Sequence, residues 1–523
     1  MTAGSRFRVT YATMSADNEA LHAGFDAGMA AARTELGADH AFTIDGAART
    51  GGGWFEERSP IDRDVLVGRY AQATADDVGD AVAAADRFAP RWAAVPWQER
   101  VALLDAAADL ISERRNRLAA LMGIEVGKNR LEALGDVEES ADLIRYYCRQ
   151  MEEHDGYAVP MNRLFPDEAT VDVMRPYGVW VVISPFNFPM ALAAGPVGAA
   201  LVAGNTVVLK PSNQGALLGL ELARVLADAG IPAGAFHIVT GSGPEAGAAL
   251  VAHPGVDGIT FTGSSEVGMG IQRTFATRFP KPAICEMGGK NPVVVSRKAD
   301  LDAAAEGVMR SAFGFGGQKC SAASRAYVER PVIDDFLTRL IEKTERIAIG
   351  DPLDRGTYLG PVIDRGAVTR YREAVAEAGA VGEIHTGGVV LTEGDLGRGN
   401  FVAPTVVSAD PSSWLWRREL FIPFVAVAPV DSIDEGLDRA NDTEYGLTAG
   451  FFSEDPAEVD RFLDRIESGV VYVNRRIGAT TGAWPAVQPF GGWKASGTGG
   501  KAGGGPYYLA QYLREQSRTV VGG

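Results

Sequence analysis

Three residues of this sequence combine side chains that can attack or polarise a carbonyl carbon with settings that leave those side chains accessible. Cys320 follows Phe315-Gly-Gly-Gln-Lys, and small residues around a cysteine permit the close approach of a substrate. Only the thiolate attacks a carbonyl well, and the neighbouring Lys319 is a cation that favours the thiolate. The alternative for Cys320 is a small core residue, since free cysteine packs as a hydrophobe.

Glu286 and Asn187 are the candidates to act beside such a nucleophile. Glu286 ends a β-rich run and precedes two glycines, which indicates a position at the open edge of a sheet that suits a general base on water. Asn187 follows another strand and lies between Pro185-Phe and Phe-Pro189, and a rigidly held amide is a good donor to an oxyanion. The simpler alternatives are a surface carboxylate that caps a turn and an Asx-turn.

Two glycine-containing turns follow predicted strands and are candidates to hold a phosphate. They are Thr240-Gly-Ser-Gly-Pro-Glu-Ala-Gly and Phe261-Thr-Gly-Ser-Ser-Glu-Val-Gly. Each is expected to place backbone N–H groups at the N-terminus of a helix, where a phosphate is stabilised. Neither turn matches the G-x-G-x-x-G spacing, so neither identifies a dinucleotide site by itself.

The elements that must position these residues alternate between helices and strands. Apolar residues recur at near-helical spacing among charges over residues 97–125, and residues 138–151 show the same pattern. Short β-rich runs follow at residues 180–184, 206–210, 236–240 and 258–262. Ala- and Leu-rich segments, each long enough for one helix, separate these runs. The alternation is typical of βαβ units and predicts a parallel, doubly wound sheet.

The second half of the chain predicts a further α/β domain and a terminal arm. Strands are expected at residues 292–295 and 326–328, with a helix over 300–315 between them. Residues 497–505 are rich in glycine, and the chain then ends on a short Thr-Val-Val run. This pattern predicts an arm whose strand pairs with another segment, which in a multi-subunit enzyme is often in a neighbouring subunit.

Length and composition exclude several classes of function. A chain of 523 residues, 46% hydrophobic and 22% charged, has material for two or three domains, and its net charge of −17 argues against binding nucleic acid or acidic membranes. No apolar run approaches the roughly 20 residues of a membrane-spanning helix, and residues 1–20 lack a signal peptide's apolar stretch. We therefore expect a cytoplasmic protein. Cys148, Cys285 and Cys320 are too far apart for a disulfide framework or a zinc site, and no metal is expected.

Taken together, the motifs resemble the aldehyde dehydrogenase superfamily in order and spacing, from about residue 41 onward. The segments that carry the resemblance are Pro185-Phe-Asn-Phe-Pro189, Leu209-Lys-Pro-Ser212, Phe261-Thr-Gly-Ser264, Glu286-Met-Gly-Gly-Lys290, Gly317-Gln-Lys-Cys320 and Glu419-Leu-Phe421. The resemblance implies an α/β aldehyde dehydrogenase-like fold with a Rossmann-like cofactor domain, an α/β catalytic domain and a small β oligomerisation arm. The implied boundaries are 1–154 and 173–286 for the NAD(P)-binding domain, 287–497 for the catalytic domain, and 155–172 with 498–523 for the arm.

The resemblance also implies a role for each matching residue. Cys320 is the expected nucleophile, Glu286 activates the hydrolytic water, and Asn187 holds the oxyanion together with the backbone N–H of Cys320. The expected cofactor is NAD, with NADP left open, and Lys210 and Glu419 are expected at its two riboses. The full set of expected cofactor-binding residues is Ser184, Pro185, Phe186, Lys210, Ser212, Gly263, Ser264, Glu419 and Phe421.

A narrower resemblance concerns the substrate. Residues 315–325, 488–493 and 495–498 look like the branch that oxidises L-glutamate γ-semialdehyde, also called 1-pyrroline-5-carboxylate dehydrogenases, in the second step of proline catabolism. That branch grips the α-carboxylate of its substrate, and backbone N–H groups at glycine can satisfy a carboxylate without a cationic side chain. The substrate-binding residues implied here are Ser321, Gly482, Ala483 and Phe490.

Several positions depart from the family's pattern. Phe186 stands where many relatives have Trp, and Ile422 replaces the usual glycine after Phe421. Asn213 occupies the position where NAD-preferring relatives often carry Glu. Without that carboxylate a 2′-phosphate is not repelled, so the choice between NAD and NADP stays open. Residues 478–480 make the late loop longer than expected.

Other functions remain as alternatives. They are a dehydrogenase for succinic or α-aminoadipic semialdehyde, a broad-specificity aldehyde dehydrogenase, and an inactive oligomeric homologue. The late loop argues against the first, and the joint presence of Cys320, Glu286 and Asn187 argues against the last. We expect a small-molecule aldehyde as the partner, neither nucleic acid nor membrane, and a homo-oligomer of two or more chains.

Overall fold

The computed structural model describes residues 18–476 and 484–522. Its strands are β1 (Ala38–His40), β2 (Phe42–Ile44), β3 (Ala47–Arg49), β4 (Trp54–Arg58), β5 (Leu66–Ala71), β6 (Ala158–Pro160), β7 (Glu168–Pro176), β8 (Val179–Ile183), β9 (Thr206–Lys210), β10 (Phe236–Ile238), β11 (Gly258–Thr262), β12 (Ala283–Glu286), β13 (Asn291–Val295), β14 (Ala323–Glu329), β15 (Gly382–Thr386), β16 (Thr405–Ala409), β17 (Phe424–Val430), β18 (Tyr445–Gly446), β19 (Thr448–Phe452), β20 (Val470–Val473), β21 (Trp493–Lys494) and β22 (Leu513–Val521).

Side-chain caps set where many of the helices begin. Thr74 and Asp77 form a reciprocal capping box at the start of one helix, and Asn129 accepts a hydrogen bond from the amide of Glu132 at the start of another. The helices are α1 (Glu19–Arg33), α2 (Ala75–Ala93), α3 (Trp97–Glu113), α4 (Arg115–Val126), α5 (Arg130–Glu153), α6 (Ala191–Ala203), α7 (Ala216–Asp228), α8 (Ala248–Ala252), α9 (Ser265–Thr274), α10 (Leu301–Phe313), α11 (Ile333–Glu345), α12 (Arg365–Val381), α13 (Ile433–Asn441) and α14 (Pro456–Arg465).

The helical structure predicted over residues 97–125 is confirmed, but it is divided into two helices, α3 and α4, that meet at a break at Arg114. The break lies beside the contact between α1 and α4. There Gly28 approaches the backbone of Asn116 so closely that a Cβ atom would overlap it. The apolar spacing within residues 97–125 could not predict this contact, because it involves α1, which lies outside the segment.

The first large sheet has the strand order β12-β11-β8-β9-β10-β2-β3, and its first five strands run parallel. Buried side chains alternate between its two faces: Trp180 and Val182 belong to the apolar core that contains α6, and Val181 belongs to the core that contains α2. After β10 the chain crosses back to place β11 beside β8, which makes the gap between β8 and β11 the topological switch point. This is the predicted doubly wound parallel sheet.

The second large sheet and the arm follow in the later part of the chain. The sheet has the order β15-β16-β17-β14-β13-β19-β20, and only the β15–β16 pair is antiparallel among these neighbours. In the arm, β22 pairs antiparallel along β7, which also pairs with β6. Strand β7 continues to Pro176, beyond the expected arm boundary at residue 172, and the domain boundaries stay a prediction.

The described residues also set limits on membrane and metal binding. Among them no helix is both long and apolar enough to cross a bilayer. Within the same two ranges, no group of three or more His, Cys, Asp and Glu side chains is arranged to hold a metal ion.

Candidate active site

The candidate residues converge at the carboxyl edge of the first large sheet. Asn187 lies just beyond β8, Lys210 ends β9, Ser264 follows β11 and Glu286 ends β12. The strand ends are level, because Ile183 pairs with Lys210 while Thr262 pairs with Glu286. Open α/β sheets bind ligands outside the carboxyl ends of the strands, at the switch point. The β8–β11 gap is therefore the expected binding crevice.

Cys320 lies where two cavities meet at this edge. A larger cleft and a smaller cavity share Cys320, Thr262 and Met287 in their walls. The larger cleft is lined by Asn187 and by all nine predicted cofactor-binding residues: Ser184, Pro185, Phe186, Lys210, Ser212, Gly263, Ser264, Glu419 and Phe421. The smaller cavity is lined by Glu286, Ser321 and Phe490. A thiol at this junction can contact a ligand in the larger cleft and a second ligand in the smaller cavity.

Polar atoms of the larger cleft are left for a ligand to satisfy. The hydroxyl of Ser184 and the side-chain oxygen of Asn213 are buried and have no hydrogen-bond partner among the described residues. Lys210 donates to the carbonyl of Pro211 at 3.0 Å, and burial lowers the pKa of its ammonium group to about 8. Ser264 caps the N-terminus of α9. Hydroxyl and phosphate groups of a dinucleotide suit this set of donors and acceptors.

The end of the cleft nearest Cys320 is built around Glu419. Its carboxylate accepts a hydrogen bond from the Gly289 amide at 3.0 Å, and a Cβ atom on Gly288 would overlap the same carboxylate. Burial raises the pKa of Glu419 to about 7. Phe421 adopts φ +56°, and its ring meets the edge of the Phe186 ring at a centroid distance of 5.9 Å. Gly288 therefore makes room for the carboxylate of Glu419, whereas a Cβ atom on Gly289 would overlap the side chain of Asn291 and the carbonyl of Cys320.

A left-handed loop presents Cys320. Phe315, Gly316 and Gly317 have φ values of +49°, +63° and +67°, and a Cβ atom on Gly317 would overlap the carbonyl of Ile422. The side-chain amide of Asn187 donates to the carbonyl of Gln318 at 3.0 Å, which joins this loop to the segment after β8. One N–H of the Asn187 amide is thus occupied by the hydrogen bond to Gln318, and the second N–H can donate to a ligand.

Ile422 fits the structure without a special backbone. It does not lie in the left-handed region, so glycine is not required there, and its side chain is buried in the largest apolar core. The departure at this position therefore adds packing next to the loop that presents Cys320.

Sequence reasoning missed Asn291, which fixes the backbone of the nucleophile. Its amide donates to the carbonyls of Cys320 at 2.7 Å and of Ala322 at 2.9 Å, and its oxygen accepts from the amide of Thr448 at 3.0 Å. Asn291 directly follows the motif Glu286-Met-Gly-Gly-Lys290, but nothing in the sequence linked it to a segment 29 residues later. Its position at the start of a buried strand was the only available signal.

The electrostatics of Cys320 differ from the expectation. Burial, followed by the charges of Glu419 and Glu286, raises the pKa of the Cys320 thiol to about 12, and the amides of Ser321 and Cys320 oppose this rise. Lys319 does not supply the expected stabilising charge, because its ammonium pairs with Glu132 at 2.6 Å. Burial also raises the pKa of Glu286 to about 8, against a hydrogen bond from the Gly492 amide at 3.3 Å. The isolated site therefore holds a thiol.

The smaller cavity is mainly apolar and aromatic, with one further carboxylate, Glu139, in its wall. The predicted substrate residues Gly482 and Ala483 lie outside the described residues. The chain that flanks them is anchored on both sides: Arg475 donates to Gln488 at 2.9 Å, and the indole N–H of Trp484 donates to Asp142 at 2.8 Å. Trp484 and Gln488 both line the cavity.

The fold and the cleft define a protein of the dinucleotide-binding α/β class. Residues 48–518 match the model of the aldehyde dehydrogenase family. The chain belongs to the aldehyde dehydrogenase family and is therefore an oxidoreductase, which confirms the predicted family and fold class.

Known relatives match over nearly the whole chain. A 1-pyrroline-5-carboxylate dehydrogenase of Geobacillus sp. (strain WCH70) is 38% identical over 509 residues, which are 96% of each chain. 1-Pyrroline-5-carboxylate dehydrogenase 2 of Bacillus subtilis (strain 168) is 38% identical over 502 residues, 95% of each chain. The structure of a 1-pyrroline-5-carboxylate dehydrogenase from Thermus with bound NAD has a TM-score of 0.92 and 34% identity, with 100% of both chains covered.

Proposed function

We propose that this enzyme oxidises L-glutamate γ-semialdehyde, the open form of 1-pyrroline-5-carboxylate, to L-glutamate with NAD, as in the second step of proline catabolism. The observation that carries the proposal is the position of Cys320 at the junction of a dinucleotide-sized cleft and a smaller cavity that contains Glu286. The family membership, the relatives and the Thermus structure with bound NAD support it.

NAD fits the larger cleft through groups of this chain. We assign Lys210 to the adenosine ribose, Ser264 at the start of α9 to the pyrophosphate, and Glu419 to the second ribose, and Ser212 lines the same cleft. When bound, NAD supplies a hydride acceptor and a positive ring whose charge favours a thiolate nearby. Asn213 adds no negative charge at the adenosine end, so a 2′-phosphate is not repelled there and the choice between NAD and NADP stays open.

Cys320 first adds to the aldehyde carbon. Its proton must pass to water in the cavity before attack, because only the thiolate adds to a carbonyl. Burial and two carboxylates raise the pKa of this thiol to about 12, and the amides of Ser321 and Cys320 favour the thiolate. The new C–S bond converts the carbonyl oxygen into an oxyanion. The free N–H of Asn187 and the backbone N–H of Cys320 stabilise that charge. Loss of a hydride from the carbon then leaves a thioester on Cys320.

Glu286 then acts in the hydrolysis of the thioester. Its carboxyl group lies in the smaller cavity with Cys320 and has a pKa of about 8. Once ionised, it is therefore a stronger base toward water than an ordinary carboxylate. Water adds to the thioester carbon, the C–S bond breaks, and the thiolate of Cys320 and a carboxylic acid result. The overall change is aldehyde plus water to carboxylic acid, with two electrons leaving as a hydride and one proton released.

The walls of the smaller cavity suit a substrate with charged groups at one end. Ser321 is buried in the wall beside the nucleophile, and with Gly482 and Ala483 it is proposed to bind the α-carboxylate. Glu139 offers a negative charge to the α-ammonium group, and Phe490 contributes an aromatic wall to the methylene chain.

We also propose a homo-oligomer and a cytoplasmic location. The arm exposes apolar side chains on β6, on the following loop and at the end of β22; Leu164 is 82% exposed and Phe165 58%. Val159, Met161, Val520 and Val521 are also more than half exposed, and a second copy of the chain would cover this surface. The proposed location rests on the need for Cys320 to stay reduced.

The proposal is tested by NADH formation from equilibrated 1-pyrroline-5-carboxylate. We expect turnover by the wild type, and complete loss in Cys320→Ala with retained binding of NAD. Cys148→Ala removes a buried thiol of α5 that lines neither cavity. It serves as the matched control and is expected to keep kcat. Full activity of Cys320→Ala would contradict the mechanism.

A further inference from the structure

A completely buried ion pair lies behind the active-site loops. Lys128, in the short connection between α4 and α5, places its ammonium 2.8 Å from the carboxylate of Asp136 on α5, and both side chains are 0% exposed. Burying two charges is costly, and such a pair persists only when its remaining groups are satisfied by good geometry.

The pair contacts both segments that form the reaction centre. We define the donor segment as residues 187–191 and the nucleophile segment as residues 315–320. The Lys128 ammonium lies 3.5 Å from the ring centroid of Phe188 in the donor segment and 5.1 Å from that of Phe315 in the nucleophile segment. The second oxygen of Asp136 accepts a hydrogen bond from the Ala191 amide at 2.8 Å.

These contacts are arranged to fix one segment relative to the other. Phe188 directly follows Asn187, and Ala191 begins α6, so the ion pair holds the donor segment at both ends. Phe315 begins the left-handed loop that leads to Cys320. A second direct link between the segments is the hydrogen bond from the Asn187 side chain to the Gln318 carbonyl. An oxyanion site loses much of its effect when its donors move by a fraction of an ångström.

We propose that Lys128 and Asp136 are positioning residues that hold the oxyanion donors and the nucleophile of this enzyme in register. Lys128 bridges the two segments through cation–π contacts, and Asp136 locks the start of α6 while it neutralises the lysine. The proposal rests on the proposed roles of Asn187 and Cys320, but not on the identity of the aldehyde.

Two variants separate positioning from folding. Lys128→Met combined with Asp136→Leu removes both charges, and replacement of a buried pair by apolar residues is often neutral for stability. Phe315→Leu keeps the ion pair and removes only the ring that joins Lys128 to the nucleophile segment. Arg117→Met is the control, because Arg117 on α4 forms ion pairs with Glu35 and Glu221 and contacts neither segment.

The readouts are NADH formation and the hydrolysis of p-nitrophenyl acetate, which requires Cys320 and the oxyanion donors but neither NAD nor the aldehyde pocket. We expect kcat to fall about ten-fold or more in both reactions for the double variant, and about three-fold or more for Phe315→Leu, with the Kd for NAD within about two-fold of wild type. Arg117→Met is expected to lower the melting temperature without changing either kcat.

The result that overturns the proposal is a wild-type kcat for ester hydrolysis in either variant that remains folded. If the double variant does not fold, Phe315→Leu decides the question. A wild type that hydrolyses the ester but does not oxidise L-glutamate γ-semialdehyde would contradict the proposed substrate and leave the comparison between variants intact.

Discussion

The side-chain amide of Asn187 donates a hydrogen bond to the carbonyl of Gln318 at 3.0 Å, which ties the end of β8 to the loop that carries Cys320. The two residues are separated by 131 positions in the sequence. The contact aims one N–H of the amide at the protein and leaves the other N–H for the reacting oxygen. The geometry of the proposed oxyanion site is therefore built into the junction between the two α/β units.

Asn187→Ala should lower kcat by about 10²–10³-fold, because one oxyanion donor of this kind contributes that much to catalysis. The KM for NAD should change little, since the amide stabilises the transition state. Steady-state NADH formation checks this. Asn187→Asp, which keeps the shape but loses the donor, should be impaired at least as much, and a change confined to KM in both variants would contradict the oxyanion role.

Glu286→Gln should form NADH in a burst of about one equivalent per active site and then turn over slowly, because hydride transfer does not need the base that hydrolyses the thioester. Stopped-flow absorbance measures burst and steady state separately. Loss of the burst would instead assign Glu286 to deprotonation of Cys320.

The pH dependence of wild-type turnover should follow the same carboxylate. Burial raises the pKa of Glu286 to about 8, and only the ionised form accepts a proton, so kcat should rise with pH and level off above about 8. The pH profile of kcat in Glu286→Gln should lack this limb. A limb of the same midpoint in both proteins would assign the titration to another group.

Asn213→Glu should restrict the enzyme to NAD. Asn213 lines the adenosine end of the larger cleft, and a carboxylate there would repel a 2′-phosphate. We expect kcat/KM for NADP to fall about ten-fold or more, while the value for NAD stays within about three-fold. Asn213→Gln is the matched control, and equal losses with both coenzymes would show that the position does not discriminate between them.

Ala483→Leu should raise the KM for L-glutamate γ-semialdehyde more than the KM for propanal, because the simple aldehyde has no α-carboxylate to displace. Ser321→Ala should also raise the KM for L-glutamate γ-semialdehyde more than the KM for propanal. The increase should be smaller than in Ala483→Leu, because only one hydroxyl is lost. The ratio of kcat/KM for the two aldehydes measures both. Equal effects on the two aldehydes would contradict the proposed carboxylate site.

Local patterns predicted the elements that carry the site. Strands β9 and β11 lie at residues 206–210 and 258–262, as predicted, because short β-branched runs between glycines and polar turns have few alternatives. Helix α5 is longer than the predicted 138–151, since it begins at a cap supplied by Asn129. The break between α3 and α4 at Arg114 was not predictable from the apolar spacing of residues 97–125.

The contacts between distant segments could not be predicted from local patterns. Asn291 holds the carbonyl of Cys320, and Lys319 pairs with Glu132 instead of stabilising the thiolate. The ion pair of Lys128 and Asp136 could not be predicted from local patterns either. Charged residues in a helical region are usually exposed to solvent, so their sequence gives no sign that these two are buried. Motif resemblance identified which residues meet, while the structure identified what holds them together.

The most direct test of the central claim is the kcat/KM for NADH formation with equilibrated 1-pyrroline-5-carboxylate, compared with succinic semialdehyde and propanal under the same conditions. A clear preference for 1-pyrroline-5-carboxylate is predicted, with NAD as the coenzyme. Comparable or higher values for either of the other aldehydes would contradict the proposed substrate and the carboxylate site at Ser321, Gly482 and Ala483.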